Sequence, residues 1–428
     1  VILELWENDP ALLPLLEETI STCQSALAAA GHSLEFTIRD DDFILGHTQR
    51  SLFDTGRESI FDLAILNPPY FKLRKDAPQA RAMEHLVHGQ PNIYALFMGV
   101  VADVLKPGGE MIAITPRSYF NGPYFKRFRN WFFDRMTARQ IHIFESRADA
   151  FREDSVLQEN VILRAIKEGS VENIVLTTSR GRDLNAIDRR AIEYSTVIDN
   201  RDGDHVIRVT TNQFEQDIVE LLDRLPDRFR TSDFGISTGP VVTFRATEFL
   251  RDDRTTETAP LLWMHNVRPF VTQFPPKNGK PAHITVSSSS RSLLLPARTY
   301  VLLKRFTSKE EKRRLVAGIM RPVDSYSEWV GLENHLNYVY RKDADLTDDE
   351  ASGLAAGLVD RYFRAISGNT QVKATEIRNL PLPDAKTLNG IGRQVAQLTQ
   401  PDASAVEDIV GRALSVSHSL LARLKDAA

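Results

Sequence analysis

The sequence predicts an α/β fold. An open, mostly parallel sheet with helices on both faces occupies the N-terminal half, and an α+β region follows. Three observations carry this expectation. Short apolar runs alternate with longer helical patterns up to about residue 166, as strand–helix–strand units do. Proline, glycine and asparagine turns separate these runs. Charge divides the chain as well, with a net of −6 over residues 1–200 and +2 over 201–428. The chain has 428 residues, 42% of them hydrophobic, enough for a sizeable core and more than one domain at roughly 150 residues each. The polar, turn-rich DNRDGDH stretch places the boundary in its neighbourhood, giving domains at 1–204 and 205–428.

The elements follow in order. VILELW (1–6) reads as a strand. Asp9-Pro10 opens a helix, with Asp9 as N-cap and Pro10 in the first turn, and Gly31 stops it. LEFTI (34–38) and FDLAIL (61–66) are strands, the second ending in Asn67-Pro68-Pro69-Tyr70. Residues 92–105 form a helix closed by Lys106-Pro107-Gly108-Gly109. EMIAIT (110–115) is the next strand and 121–137 the next helix. QIHIF (140–144) and NVILRAI (160–166) are strands without a helix between them, suited to antiparallel pairing. No apolar run reaches the roughly 20 residues of a membrane span. Cys23 is the one cysteine, so disulfides and Cys-based zinc sites are excluded, and the ten histidines show no metal-ligand spacing. No signal peptide is recognisable, so a cytoplasmic protein is expected.

In open α/β sheets ligands bind beyond the carboxyl ends of the strands, where Asn67–Tyr70 sits. Two prolines fix φ and remove two donors, so the carbonyls of this turn are held outward. The Pro68 carbonyl and the Asn67 side-chain oxygen can both accept from one NH₂ group. Tyr70 offers a flat face for a planar base. The alternative is a plain Pro-Pro turn.

With its flanking strands, this turn resembles the gamma-class N6-adenine DNA methyltransferases of type II restriction-modification systems, with a TaqI-like catalytic domain. The resemblance implies a Rossmann-like methyltransferase sheet, S-adenosylmethionine as cofactor and an adenine flipped out of duplex DNA. It places Glu7, in LELWENDP, on the cofactor ribose, the alternative being an ordinary helix-start acid. In DDDFIL it places Asp42 on the cofactor adenine's amine, with Asp40 and Asp41 competing, and Phe43 on its face. Asn67 contacts both cofactor and target. Phe151, in AFREDSVLQENVILRAI, packs on the flipped base; core packing is the alternative for both phenylalanines. The family's glycine-rich cofactor loop and first strand are not found upstream of Glu7. The chain begins inside what should be the second strand, so a missing N-terminal part is expected.

Residues 260–321 carry a net of +10, and Arg117–Arg139 is a second basic run, which together point to a polyanion. FLRDD, WMHNVRPF (263–270), LLKRFTSKEEKRRLVAG (302–318), VGLENHLNYVY (330–340) and KATEIRNLPLP (373–383) resemble the α+β target-recognition region of the PstI/BsuBI group. Arg268, Lys304, Arg305, Arg313, Arg314, Asn334 and Asn337 are the expected DNA contacts, with Asn266 a further base-reading candidate. Lys72 and Arg74 follow the catalytic turn on a segment that is either a lid over DNA or a surface connection. The resemblance implies double-stranded DNA as partner, a functionally linked restriction endonuclease, and a bacterial host. Methylation of RNA adenine or of a protein glutamine, or a non-catalytic DNA-binding subunit, are the competing readings.

Overall fold

The computed structural model describes residues 1–50, 60–87, 91–144, 160–180, 183–201, 203–276, 279–307, 313–357, 360, 362–363, 372–399 and 401–426. The chain divides into two compact units, Val1–Arg208 and Val209–Ala428.

In the first unit, β1 (Ile2–Trp6) and β2 (Glu35–Arg39) pair in parallel across the helix α1 (Leu13–Ala29). This helix starts later than the sequence suggests. Asp9 accepts the Ala11 N–H at 2.9 Å and so caps a preceding turn, while Pro14 takes the first turn of the helix, where its missing donor costs nothing. The end is as expected. Gly31 adopts φ +80°, its N–H donates to Ala28 and that of His32 to Leu27, the paired bonds of a glycine-terminated helix.

After α2 (Phe43–Arg50) come β3 (Phe61–Leu66), α3 (Pro78–Ala82), α4 (Ile93–Val104) and β4 (Leu105–Pro116). Then follow α5 (Lys126–Phe133), β5 (Met136–Phe144), β6 (Asn160–Lys167), β7 (Asn173–Arg180) and β8 (Asp183–Glu193). The six-stranded sheet has the order β3-β4-β6-β5-β7-β8. Only β3–β4 and β5–β7 are parallel; β4–β6, β5–β6 and β7–β8 are antiparallel. The sheet is therefore mixed rather than mostly parallel, with β6 antiparallel to both of its neighbours. The helix expected over 121–137 shrinks to α5. Pro123 cannot donate a helical bond, and the 3₁₀ turn Pro123–Phe125 takes the place of its start, another, Arg117–Tyr119, preceding it. On the helical side, α4 is buried along nearly its whole length. It shares a core with Ile44, Met83 and Leu86.

The basic run from Arg117 to Arg139 is partly internal. Arg129 is fully buried. Its guanidinium donates to Asp204 at 2.8 and 2.6 Å, to the Tyr119 carbonyl at 3.0 Å and to the Gly122 carbonyl at 2.7 Å. Arg117 is buried as well. These arginines hold the fold and do not face a polyanion.

Among the described residues, the second unit contains two large sheets and a two-stranded pair, Asp227–Arg228 with Pro381–Leu382. A six-stranded sheet has the order Phe234–Thr238, Leu336–Arg341, Tyr300–Lys304, Ala317–Met320, Phe270–Thr272 and Val267–Arg268. A five-stranded sheet is centred on Thr258–Leu262. Helices Gln213–Asp223, Asp348–Gly357, Ala385–Ala396 and Ala403–Ala413 contribute to the largest core of this unit. Asn212, Asp384 and Asp402 cap three of them, each accepting a first-turn N–H.

Asp204→Ala should leave the Arg129 charge buried and without its carboxylate. A loss of about 3–5 kcal/mol is expected for such a change, measurable by chemical denaturation.

Candidate active site

The carboxyl ends of β1, β2 and β3 each carry one of the residues singled out in the sequence. Glu7 directly follows β1; its N–H donates to the Arg39 carbonyl at 3.1 Å and its Oε1 accepts the Asp9 N–H at 2.8 Å. Asp42 lies just beyond β2. One of its oxygens accepts the Leu45 N–H at 2.8 Å, capping α2, and the other accepts the Gln79 amide at 2.9 Å. Asp42 therefore already has a structural task, whereas Asp40 and Asp41 are exposed. Phe43 stacks on Phe97 with ring centroids 4.9 Å apart and meets the Trp6 ring edge-on, so one of its faces is taken by the protein.

Asn67 follows β3 and is exposed, Pro68 is buried, and Tyr70 is half-buried. The Tyr70 hydroxyl lies 2.8 Å from Asn67 Oδ1 and 3.0 Å from the Ile114 carbonyl in β4. The turn is thereby tied to the neighbouring strand. Burial pushes the Tyr70 phenol up to about 12, so near neutrality it is a hydrogen-bond donor, not a base. Asn67 Oδ1 already accepts one hydrogen bond, and an amide oxygen has a second lone pair for an incoming amine. Behind Tyr70 stands Tyr94, ring edge to face at 6.3 Å. Tyr94 is buried, its hydroxyl 2.7 Å from that of Ser118, and burial raises its pKa strongly. Sequence reasoning missed Tyr94 and the Ile114 carbonyl. The position of Ile114 near the carboxyl end of β4 was the available signal for the carbonyl; Tyr94, in the first turn of α4, carried none.

The segment after the turn is docked, which favours the connection over the lid. Leu73 N–H donates to Pro91 and Ile93 N–H to Phe71, and Ala80, Met83 and Leu86 are buried. Lys72 and Arg74 are exposed, Arg74 pairing with Asp76 at 2.7 Å. Phe151 lies outside the described residues.

In the second unit, Arg268 is exposed. Lys304 ends the strand Tyr300–Lys304, and Arg305, which follows it, donates to the Asn334 carbonyl at 2.6 Å. Arg313 pairs with Glu407 at 2.9 Å. Three expected contacts are corrected. Asn337 is fully buried, accepting from Thr238 and donating to the Val372 carbonyl. Arg314 is 1% exposed, its backbone held by Asp360 and Thr307. Asn266, 1% exposed, fixes its own turn. None of these three side chains can reach a base edge from the interior.

Residues 16–151 match the Eco57I restriction-modification methylase family. The chain is 33% identical to type II methyltransferase M.BsuBI of Bacillus subtilis over 404 residues, covering 92% of this chain and 79% of that protein. This chain belongs to the type II DNA methyltransferases of restriction-modification systems. It is also 32% identical to type II methyltransferase M.PstI of Providencia stuartii over 386 residues, 89% of this chain and 76% of that one. Among solved structures, the type IIL restriction-modification enzyme MmeI in complex with DNA is similar at 11% identity and a TM-score of 0.47, across 92% of this chain and 56% of that one. The methyl donor of this methyltransferase is S-adenosylmethionine.

Tyr70→Phe keeps the ring and removes the bond to Asn67. At a net 0.5–1.5 kcal/mol per hydrogen bond, a fall in turnover of roughly tenfold is expected, read by single-turnover methyl transfer. The folded-state pKa of about 12 lies above the ordinary value of 10. The phenol's contribution to stability is thus complete below about pH 10 and lost as pH rises through about 12. The rate profiles of wild type and Tyr70→Phe should run parallel from roughly pH 7 to pH 10.

Proposed function

We propose that this methyltransferase transfers the methyl group to the N6 amine of an adenine flipped out of duplex DNA. The observation that carries the reading is the Asn67–Tyr70 turn at the end of β3, with the Tyr70 hydroxyl fixed on Asn67 at 2.8 Å. The N6 lone pair is delocalised into the ring. Two acceptors on its hydrogens, Asn67 Oδ1 and the Pro68 carbonyl, localise it and orient it for attack. Tyr70 holds the ring by stacking, and Phe151 is proposed for the other face. Positioning and electrostatics then supply most of the catalysis. A strong base is not required, because the methylated nitrogen turns acidic and loses its proton after transfer.

The donor set at the strand ends suits the adenosine half of the cofactor. Glu7, with one carboxylate oxygen on Asp9, would hold the ribose hydroxyls, and the Asp42–Phe43 pair the adenine edge and face. The bound cofactor supplies an electrophilic sulfonium methyl. Residues 1–208 are the proposed catalytic unit and residues 209–428 the proposed target-recognition unit, gripping DNA through Arg268, Lys304, Arg305, Arg313 and Asn334, with Lys72 and Arg74 beside the catalytic turn. The biological reading is protection of a bacterial genome, in the cytoplasm, against a linked restriction endonuclease.

Asn67→Ala should lower turnover at least a hundredfold while duplex affinity changes little. The assay is methyl transfer to duplex DNA, with the product nucleoside identified by mass spectrometry. Near-wild-type transfer by this variant, or methyl appearing on cytosine, would reject the assignment. Preference for RNA or a release-factor glutamine would move it to the competing enzymes.

A further inference from the structure

Two chain crossings lie side by side in the second unit. Thr258–Leu262 and Trp329–Leu332 run parallel in one sheet, Leu261 opposite Gly331 and Leu262 opposite Leu332. Each then leaves through a short turn and enters the other sheet, as Val267–Arg268 and Leu336–Arg341. Glu333 joins the two turns. Its N–H donates to the Leu262 carbonyl at 3.0 Å, one carboxylate oxygen accepts the Met264 N–H at 3.1 Å, and the other lies 2.7 Å from His335 Nδ1. The Glu333 side chain is 2% exposed and that of His335 43%. Gly239 packs against this turn so closely that a Cβ would sit 2.2 Å from the Glu333 carbonyl oxygen. Arg305 donates its backbone N–H to the His335 carbonyl at 3.0 Å, and the exposed Phe306 ring meets the imidazole edge-on at 4.9 Å.

A carboxylate accepts hydrogen bonds only, so in the neutral imidazole it assigns the single proton to Nδ1 and leaves Nε2 as an acceptor. A phosphate needs no such arrangement; a mobile cation such as the exposed Arg268 suffices. An imidazole of fixed tautomer, braced by a buried acid and an aromatic ring, has the organisation that base reading requires.

We propose that His335 is a specificity-determining residue that accepts a hydrogen bond from the exocyclic amine of a cytosine or adenine in the major groove, and that Glu333 is the positioning residue that orients it. The proposal rests on the duplex-DNA reading above. It is tested by binding selection from a random duplex library with the full-length protein, which reads recognition independently of methyl transfer. Wild type should enrich one motif. His335→Ala should lose roughly tenfold preference at a single base pair, with the rest of the motif and the salt dependence unchanged. Glu333→Gln, similar in shape, should lose preference at the same base pair, and His335→Gln, which offers an amide acceptor, should recover part of it. Thermal melting confirms that each variant is folded. A wild type without a motif, a folded Glu333→Gln with the motif intact, or a His335→Ala that weakens all sequences equally and flattens the salt dependence overturns the proposal. A retained motif without adenine methylation rejects the catalytic reading instead.

Discussion

The hydroxyl of Tyr70 lies within hydrogen-bonding distance of Asn67 and of the Ile114 carbonyl, and the chemistry proposed for the first unit depends on that link. A turn after a strand is ordinarily free to pivot. Here two prolines remove local freedom, and the phenol ties the turn to β4, which is itself paired on both sides by β3 and β6. The acceptors proposed for an amine stand at the end of the edge strand β3 and are held there by an interior strand. Burial pushes the phenol up to about 12, so the link persists well above neutral pH. Rigid acceptors serve a reaction whose difficulty is the shape of a lone pair, because they need not reorganise as charge develops.

The second unit applies the same device in another form. His335 lies on a turn between two sheets, and the buried Glu333 ties that turn to its neighbour. Glu333 cannot be replaced by a surface charge, since its carboxylate satisfies a backbone N–H of the adjacent turn as well as His335. A buried acid that loses a partner is costly, so the geometry of both turns is enforced by the unit's own stability.

The parts legible in the sequence were those set by neighbouring residues. β3 ends where Asn67-Pro68-Pro69 says it should and α1 ends at Gly31, whereas Lys106–Gly109, expected as the turn that closes α4, lies inside β4. The strand β8 is not legible because Asp183–Glu193 carries charges along its length and offers little apolar alternation. The N-cap of α1 was misplaced because two prolines, Pro10 and Pro14, both satisfy the local rule and only packing selects between them. Which cations are buried was not legible at all. Arg129 finds Asp204 75 residues away, and Asn337 finds Thr238 at a separation of 99. No window of local sequence contains both members of either pair.

That difference bears on how a basic segment is read. The stretch 260–321 looked like one cationic surface, and Arg314 within it is as buried as any leucine of the core. Counting positive charge measures the supply of cations, while the fold decides which of them meet solvent. Arg268 remains exposed, and Arg313 divides its charge with Glu407. Long-range attraction of a polyanion follows from the exposed cations and is screened by salt. Discrimination between bases requires the opposite property, a polar atom that cannot move. In this unit the oriented groups are found where a buried acid or a capped turn holds them, not where the charge density is highest.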